Sequence, residues 1–118
     1  MAKETPLVED NILTVKDPET DKVIYSFDIG SADEWKYWQG FLENEKSFRY
    51  LFTTRQGFKL SFSARKEKRP NGLYWYAHKY VDNKLRRKYI GKNDNLTPEK
   101  LREIALKISQ AEINTSIV

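Results

Sequence analysis

The sequence predicts an α+β domain: an N-terminal hairpin and helix, then a three-stranded antiparallel sheet packed on a C-terminal helix. Three observations carry that expectation. Apolar residues alternate with period two through 48–64. Two β-prone runs, 73–81 and 84–91, flank Asp82-Asn83. Leu101, Ile104, Ala105 and Ile108 recur at helical spacing behind Thr97-Pro98.

The polar segment 1–11 reads as a flexible N-terminus. Ile12 to Lys16 and Val23 to Asp28 are short β-prone runs around the turn cluster Asp17-Pro18-Glu19-Thr20-Asp21, where proline sets φ. Ser31 followed by Glu34 has the spacing of a capping box. Trp35, Trp38 and Leu42 then mark one helical face running to about Asn44, with Gly40 weakening the helix by about 1 kcal/mol relative to alanine. Trp35 and Trp38 read as core.

Phe48, Tyr50 and Phe52 alternate with Arg49, Leu51 and Thr53. Phe58, Leu60, Phe62 and Ala64 alternate with Lys59, Ser61, Ser63 and Arg65. These are two strands turning near Gln56-Gly57, the second with one apolar and one wet face. Pro70-Asn71-Gly72 breaks the chain before the last hairpin. A two-residue turn at Asp82-Asn83, both tolerant of positive φ, fixes its register. Val81 faces Lys84, His78 faces Arg87, Tyr76 faces Tyr89 and Trp75 faces Ile90. Tyr74, Tyr76, His78, Tyr80, Leu85, Arg87 and Tyr89 thus share one surface. Trp75, Ala77, Lys79, Val81, Lys84, Arg86, Lys88 and Ile90 share the other. Thr97 caps the final helix with Pro98 at its first position, and Glu103 and Lys107 form a favourable pair on its wet side. The segment 111–118 reads as a flexible tail.

At 118 residues the chain fits one domain. Residues 12–110 form it, divided into an acidic hairpin–helix lobe (12–46) and a basic sheet–helix unit (47–110). A charged fraction of 32% and a mean hydropathy of -0.76 describe a solvated surface. No apolar run reaches membrane-span length, and the opening residues lack the apolar core of a signal peptide. Cysteine is absent, which rules out disulfides and thiolate metal sites and fits a cytoplasmic location.

Charge is the strongest functional signal. The net charge of +4 hides a split along the chain. Residues 1–46 carry five cations against eleven carboxylates, and residues 65–92 carry ten cations against two. In the basic stretch Arg65, Lys66, Lys68, Arg69, Lys79, Lys84, Arg86, Arg87 and Lys88 are interleaved with Tyr74, Trp75, Tyr76, Tyr80 and Tyr89, a composition suited to a phosphate backbone. Catalysis has little support. His78 is the lone histidine and reads as a packed or surface ring. No metal-ligand spacing or phosphate-cradling glycine loop occurs. The carboxylates of Asp33-Glu34 and Glu43-Glu45 sit at helix ends, where capping and solvation explain them.

One amphipathic helix covers one face of a three-stranded sheet and leaves the other open. Burying three unpaired cations is costly, so the expected open face is that of Lys79, Arg86 and Lys88, with the tyrosine surface as core. A two-stranded ribbon is narrow enough for a DNA major groove.

The run SFRYLF, followed by FSARKEKRPNGLYWYAHKYVDNKLRRKYIGKNDNLTPEKLREIA, resembles a group of poorly characterised bacterial proteins. Their pattern combines a Trp-containing helix, S-F-R-F, F-T-A-R-K-E-x-R, Y-W-Y-A-Y-R, K-L-R-K-R-Y-L-G-K and L-T-x-x-x-L. A similar segment stands near the front of some LuxR-type regulators. The match covers residues 31–108. His78 and Lys79 stand where the pattern has Tyr and Arg, keeping a ring and a cation. Tyr74–Ala77 and Lys84–Gly91 also resemble, more loosely, the arm-type-site-binding domains of tyrosine recombinases and plant ethylene-response-type domains. Those resemblances imply a sheet that enters the major groove with a helix behind it.

The expected function is a non-catalytic DNA-binding protein, a transcriptional regulator or accessory factor of a mobile element. Its partner is duplex DNA; no membrane, cofactor or metal is expected. Lys79, Arg86 and Lys88 face the groove, and Arg65, Lys66, Lys68, Arg69, Lys84 and Arg87 hold phosphates. Two alternatives stand beside it: a self-associating module, such as a homodimer, pairing the acidic lobe with the basic hairpin, and an RNA or single-stranded DNA binder using the aromatics.

Overall fold

The structure, a computed structural model, describes residues 5–109. Its strands are β1 (Leu7–Glu9), β2 (Ile12–Lys16), β3 (Val23–Asp28), β4 (Ser47–Thr53), β5 (Lys59–Arg69), β6 (Gly72–Val81) and β7 (Lys84–Gly91). They form one mixed sheet in the order β3-β2-β1-β4-β5-β6-β7. Two α-helices, α1 (Trp35–Asn44) and α2 (Pro98–Ile108), accompany it.

The expected three-stranded sheet on a C-terminal helix is overturned. The reason is β1, a three-residue strand inside the segment read as flexible, too short to show periodicity. Val8 is fully buried. β1 pairs antiparallel with β2 and parallel with β4, so it joins the two expected lobes into one sheet. Asp10 and Asn11, at φ 50° and 72°, make the tight turn between β1 and β2. Residues 1–4 and the expected flexible tail 111–118 lie outside the described residues.

Several local expectations coincide with the structure. The β2–β3 hairpin turns through Asp17, whose Oδ1 accepts from the Glu19 amide at 2.8 Å. Asp82 and Asn83 adopt φ 53° and 63°, and the β6–β7 register runs from Val81–Lys84 to Tyr76–Tyr89 as the turn length requires. It then shifts, so Trp75 pairs with Gly91 and not with Ile90. Thr97 Oγ1 accepts from the Lys100 amide at 3.1 Å, with Pro98 opening α2. The Ser31 capping box does not form. Glu34 turns its carboxylate back to the Asp28 amide, and α1 starts only at Trp35.

Both helices lie on one face of the sheet. The stripe Leu101, Ile104, Ala105 and Ile108 is buried against a floor that includes Tyr50, Leu60, Phe62, Ala64 and Ala77. From α1, Trp38 and Phe41 pack on Phe48, which meets Trp75. Two indoles are tied to the short 3-10 turn after β7: Trp38 Nε1 donates to the Leu96 carbonyl at 2.7 Å and Trp75 Nε1 to Asn93 Oδ1 at 2.8 Å. Burial pushes the Tyr50 hydroxyl up to about 12, despite Arg102 beside it.

No element of the described chain covers the opposite face. Seven strands at about 4.8 Å spacing make it roughly 29 Å wide. Among the described residues no helix is long and apolar enough to cross a membrane, and no three His, Cys, Asp or Glu side chains gather as metal ligands.

Candidate nucleic-acid interface

The alternation within β4 to β7 sorts their side chains between the two faces. Ala64 stands opposite Ala77, and both are fully buried under the helices. Their neighbours along each strand therefore point to the uncovered side. Cross-strand pairing arranges these in rows. Arg49, Ser63, His78 and Arg87 form one row across four strands. Ser47, Arg65, Tyr76 and Tyr89 form the next. Glu67 and Tyr74 follow in a third.

This reverses the expected faces. Tyrosines 74, 76, 80 and 89 are on the open side, and Lys79, Arg86 and Lys88 share the side that α2 covers. The desolvation cost expected to keep those cations off the helix side is met differently. Lys79 is half-buried, and its Nζ donates to Ser109 Oγ at 2.8 Å, at the C-terminal end of α2 where a cation is favourable. Arg86 is half-buried, and Lys88 is exposed on the edge strand.

The remaining expected phosphate contacts divide likewise. Lys66 lies on the helix side, 5.4 Å from the Trp75 ring centroid, and donates to the Glu43 carbonyl at 3.2 Å. Burial lowers its pKa, with Glu43 and Glu45 opposing the shift. Lys68 and Lys84 have the same strand parity but are exposed. Arg65, Arg69 and Arg87 belong to the open face.

Arg69 and Arg87 are both engaged by Glu67. Arg87 Nη2 donates to Glu67 Oε2 at 2.6 Å and Arg69 Nη2 to Oε1 at 3.3 Å. The Arg87 hydrogen bond holds the Glu67 carboxyl below its ordinary range, with burial opposing and Arg69 and His78 assisting. Both guanidinium groups lie over Tyr76, at 4.3 and 5.1 Å from its centroid. Tyr76 thus contacts both arginines and is half-buried, whereas Tyr80 and Tyr89 keep 72% and 52% of their surface exposed.

The expected set omits Arg49, Ser61 and Ser63. Their signal lies in the two-residue loop Pro70-Asn71, which fixes Arg69 opposite Gly72 and hence Ala64 opposite Ala77. That pairing places the wet faces of β4 and β5 beside the tyrosines. Arg49 and Arg65 have no carboxylate partner among the described residues. The open side of β4 to β7 presents Arg49, Lys59, Arg65, Arg69 and Arg87 against one acid, Glu67. Lys92 flanks it, 5.7 Å from the Tyr74 centroid.

A groove of about 470 Å³ runs between β3 and α1, lined by Tyr25, Phe27, Tyr37 and Phe41 with Glu34 and Glu45. No cation lines it among the described residues, and its carboxylates disfavour a polyanion.

Residues 45–103, half of the chain, match the model of a family described as a domain of unknown function (DUF6788). The match runs from just before β4 into α2 and so contains the cationic half of the open face. No curated protein and no solved structure matches.

Proposed function

The chain belongs to the DUF6788 family, and from that premise we propose that it is a non-catalytic, cytoplasmic nucleic-acid-binding domain whose open sheet face receives a single strand. The observation that carries this reading is the pair of adjoining cross-strand rows, which set Arg49 and Arg65 beside exposed tyrosines on an uncovered face. Single strands are held by cations that track the backbone and by aromatic faces that stack on bases. Width argues against a duplex on the same surface. The major groove is about 12 Å across, and a face of roughly 29 Å cannot enter it. Duplex contact through Lys79, Arg86 and Lys88 has less support, because α2 lies on that side.

The test is fluorescence anisotropy with a labelled 12-nucleotide single strand, as RNA and as DNA, and with the matching duplex, each at two salt concentrations. The reading expects the single strand to bind more tightly. With ~4 phosphate contacts, log K against log salt should slope at about -3. Tighter binding of the duplex, or no binding of either single strand at low salt, overturns it.

One observation favours self-association as a second reading. Edge strand β3 exposes Val23 and Ile24, and an apolar edge strand is a template for pairing with another chain. Light scattering at rising protein concentration tests it: a constant monomer mass removes it.

A further inference from the structure

β5 and β6 separate at one end of their ladder. The last pair is Ser63 with His78, although β5 begins at Lys59 and β6 continues to Val81. Residues 59–62 pair only with β4, and residues 79–81 only with β7. The sheet forks there, and a cavity of about 320 Å³ fills the fork.

The lining has a chemical direction. Arg49 and Arg65 reach it from adjacent strands, with Ser61 and Ser63 beside them as hydroxyl donors. Lys79 also lines it, and among the described residues no carboxylate does. Paired arginines and hydroxyls recognise a phosphate, because the guanidinium fork matches its oxygens. On the other side stand Tyr80 and Leu85, 72% and 52% exposed, a flat apolar ledge. His78 also contributes to the lining; its buried Nε2 makes no hydrogen bond among the described residues and lies 3.5 Å from Glu67 Oε2. The volume lies at the small end of ligand pockets, which run from about 300 to 1,000 Å³, and suits one nucleotide.

We infer that the β5–β6 fork is a mononucleotide subsite of the open face, with the phosphate on Arg49 and Arg65 and the base against Tyr80 and Leu85. This deepens the single-strand reading and rests on it. The fork takes one nucleotide out of a bound strand, while the rows beside it hold the backbone on either side.

The experiment titrates isotope-labelled protein with AMP, with inorganic phosphate and with adenosine, following backbone amide shifts. AMP should move the amides of Ser61, Ser63, His78 and Tyr80 saturably. Arg49→Ala with Arg65→Ala should weaken AMP tenfold or more, the unperturbed spectrum elsewhere reporting an intact fold. Tyr80→Ala should weaken AMP severalfold while leaving phosphate binding within twofold. Shifts that miss the fork, or AMP affinity unchanged in the double arginine variant, overturn the subsite. The single strand of the anisotropy experiment separates the two claims. Strand binding without AMP binding removes the subsite and keeps the face. AMP binding at the fork without strand binding keeps the subsite as a free-nucleotide site and removes the strand reading. Loss of both removes both.

Discussion

Arg87 crosses from β7 to hydrogen-bond Glu67 on β5 at 2.6 Å, passing over the ring of Tyr76 on β6 between them. One carboxylate thereby holds two arginines, Arg87 and Arg69, on the face proposed to bind a polyanion. Glu67→Gln should release both. We expect single-strand affinity at low salt to rise roughly two- to fivefold, the effect of one exposed ion pair; unchanged or weaker binding would place the strand elsewhere. The same residue has a pH signature. Its folded pKa is below its unfolded value, so its contribution to stability is complete above about pH 4.3 and fades as pH falls through the folded value. Denaturation midpoints compared at pH 7 and pH 3 should therefore drop further in the wild type than in Glu67→Gln.

The two faces of the sheet make different predictions. Replacing Lys79, Arg86 and Lys88 by alanine removes cations on the helix side and should cost less than about fivefold in single-strand affinity, a loss of long-range attraction alone. Replacing Arg49 and Arg65 removes cations that have no carboxylate partner among the described residues and should cost more than about tenfold. Equal losses in an anisotropy titration at one salt concentration would count against the open face.

Local signals in this chain were legible where a turn or a cap set them. Thr97-Pro98 started α2, and Asp82-Asn83 set the β6–β7 register. The sheet as a whole was not legible, because β1 has three residues and pairs with β4 in parallel across a long sequence gap. Nothing local encodes such a pairing. The face assignment failed for a different reason. Counting cations on an isolated hairpin treats Lys79 as a buried charge, whereas its long stem lets the ammonium reach Ser109 at the helix end. The stronger constraint lay across strands: Ala64 against Ala77 leaves room for a helix on that side. Large tyrosines at 74, 76, 80 and 89 looked like core, yet they stand on the open side, where the Tyr76 ring meets Arg69 and Arg87.

Gly91 closes β7 at φ 144°, where the register with β6 has slipped past Ile90. A Cβ there would meet the Asn95 side chain at 2.7 Å, the same side chain that accepts from the Lys92 amide. Gly91→Ala therefore meets backbone strain and a clash together, and should destabilise by about 1–3 kcal/mol. Urea denaturation gives the value, and a loss under about 0.5 kcal/mol would mean the turn relaxes without cost. Gly40 is the contrasting case: it sits in α1 with nothing within 4 Å of an added Cβ. Gly40→Ala should raise stability by up to about 1 kcal/mol.

Asn93 ties three elements together. Its Oδ1 accepts from the fully buried indole of Trp75, its Nδ2 donates to Glu43 Oε2 at 2.9 Å, and its carbonyl accepts from Gln39 Nε2 at 3.0 Å. Asn93→Ala keeps the backbone bond to Gln39 and strands the indole N–H in the core. A buried donor left unpaired costs about 1–3 kcal/mol, so the variant should unfold at correspondingly lower urea. Asn93→Asp keeps the acceptor for Trp75 but sets a carboxylate against Glu43 in place of a donor. It should therefore recover only part of the loss. Full stability of Asn93→Ala would mean that the indole finds another acceptor, and the link from α1 through Asn93 to β6 would lose its energetic role.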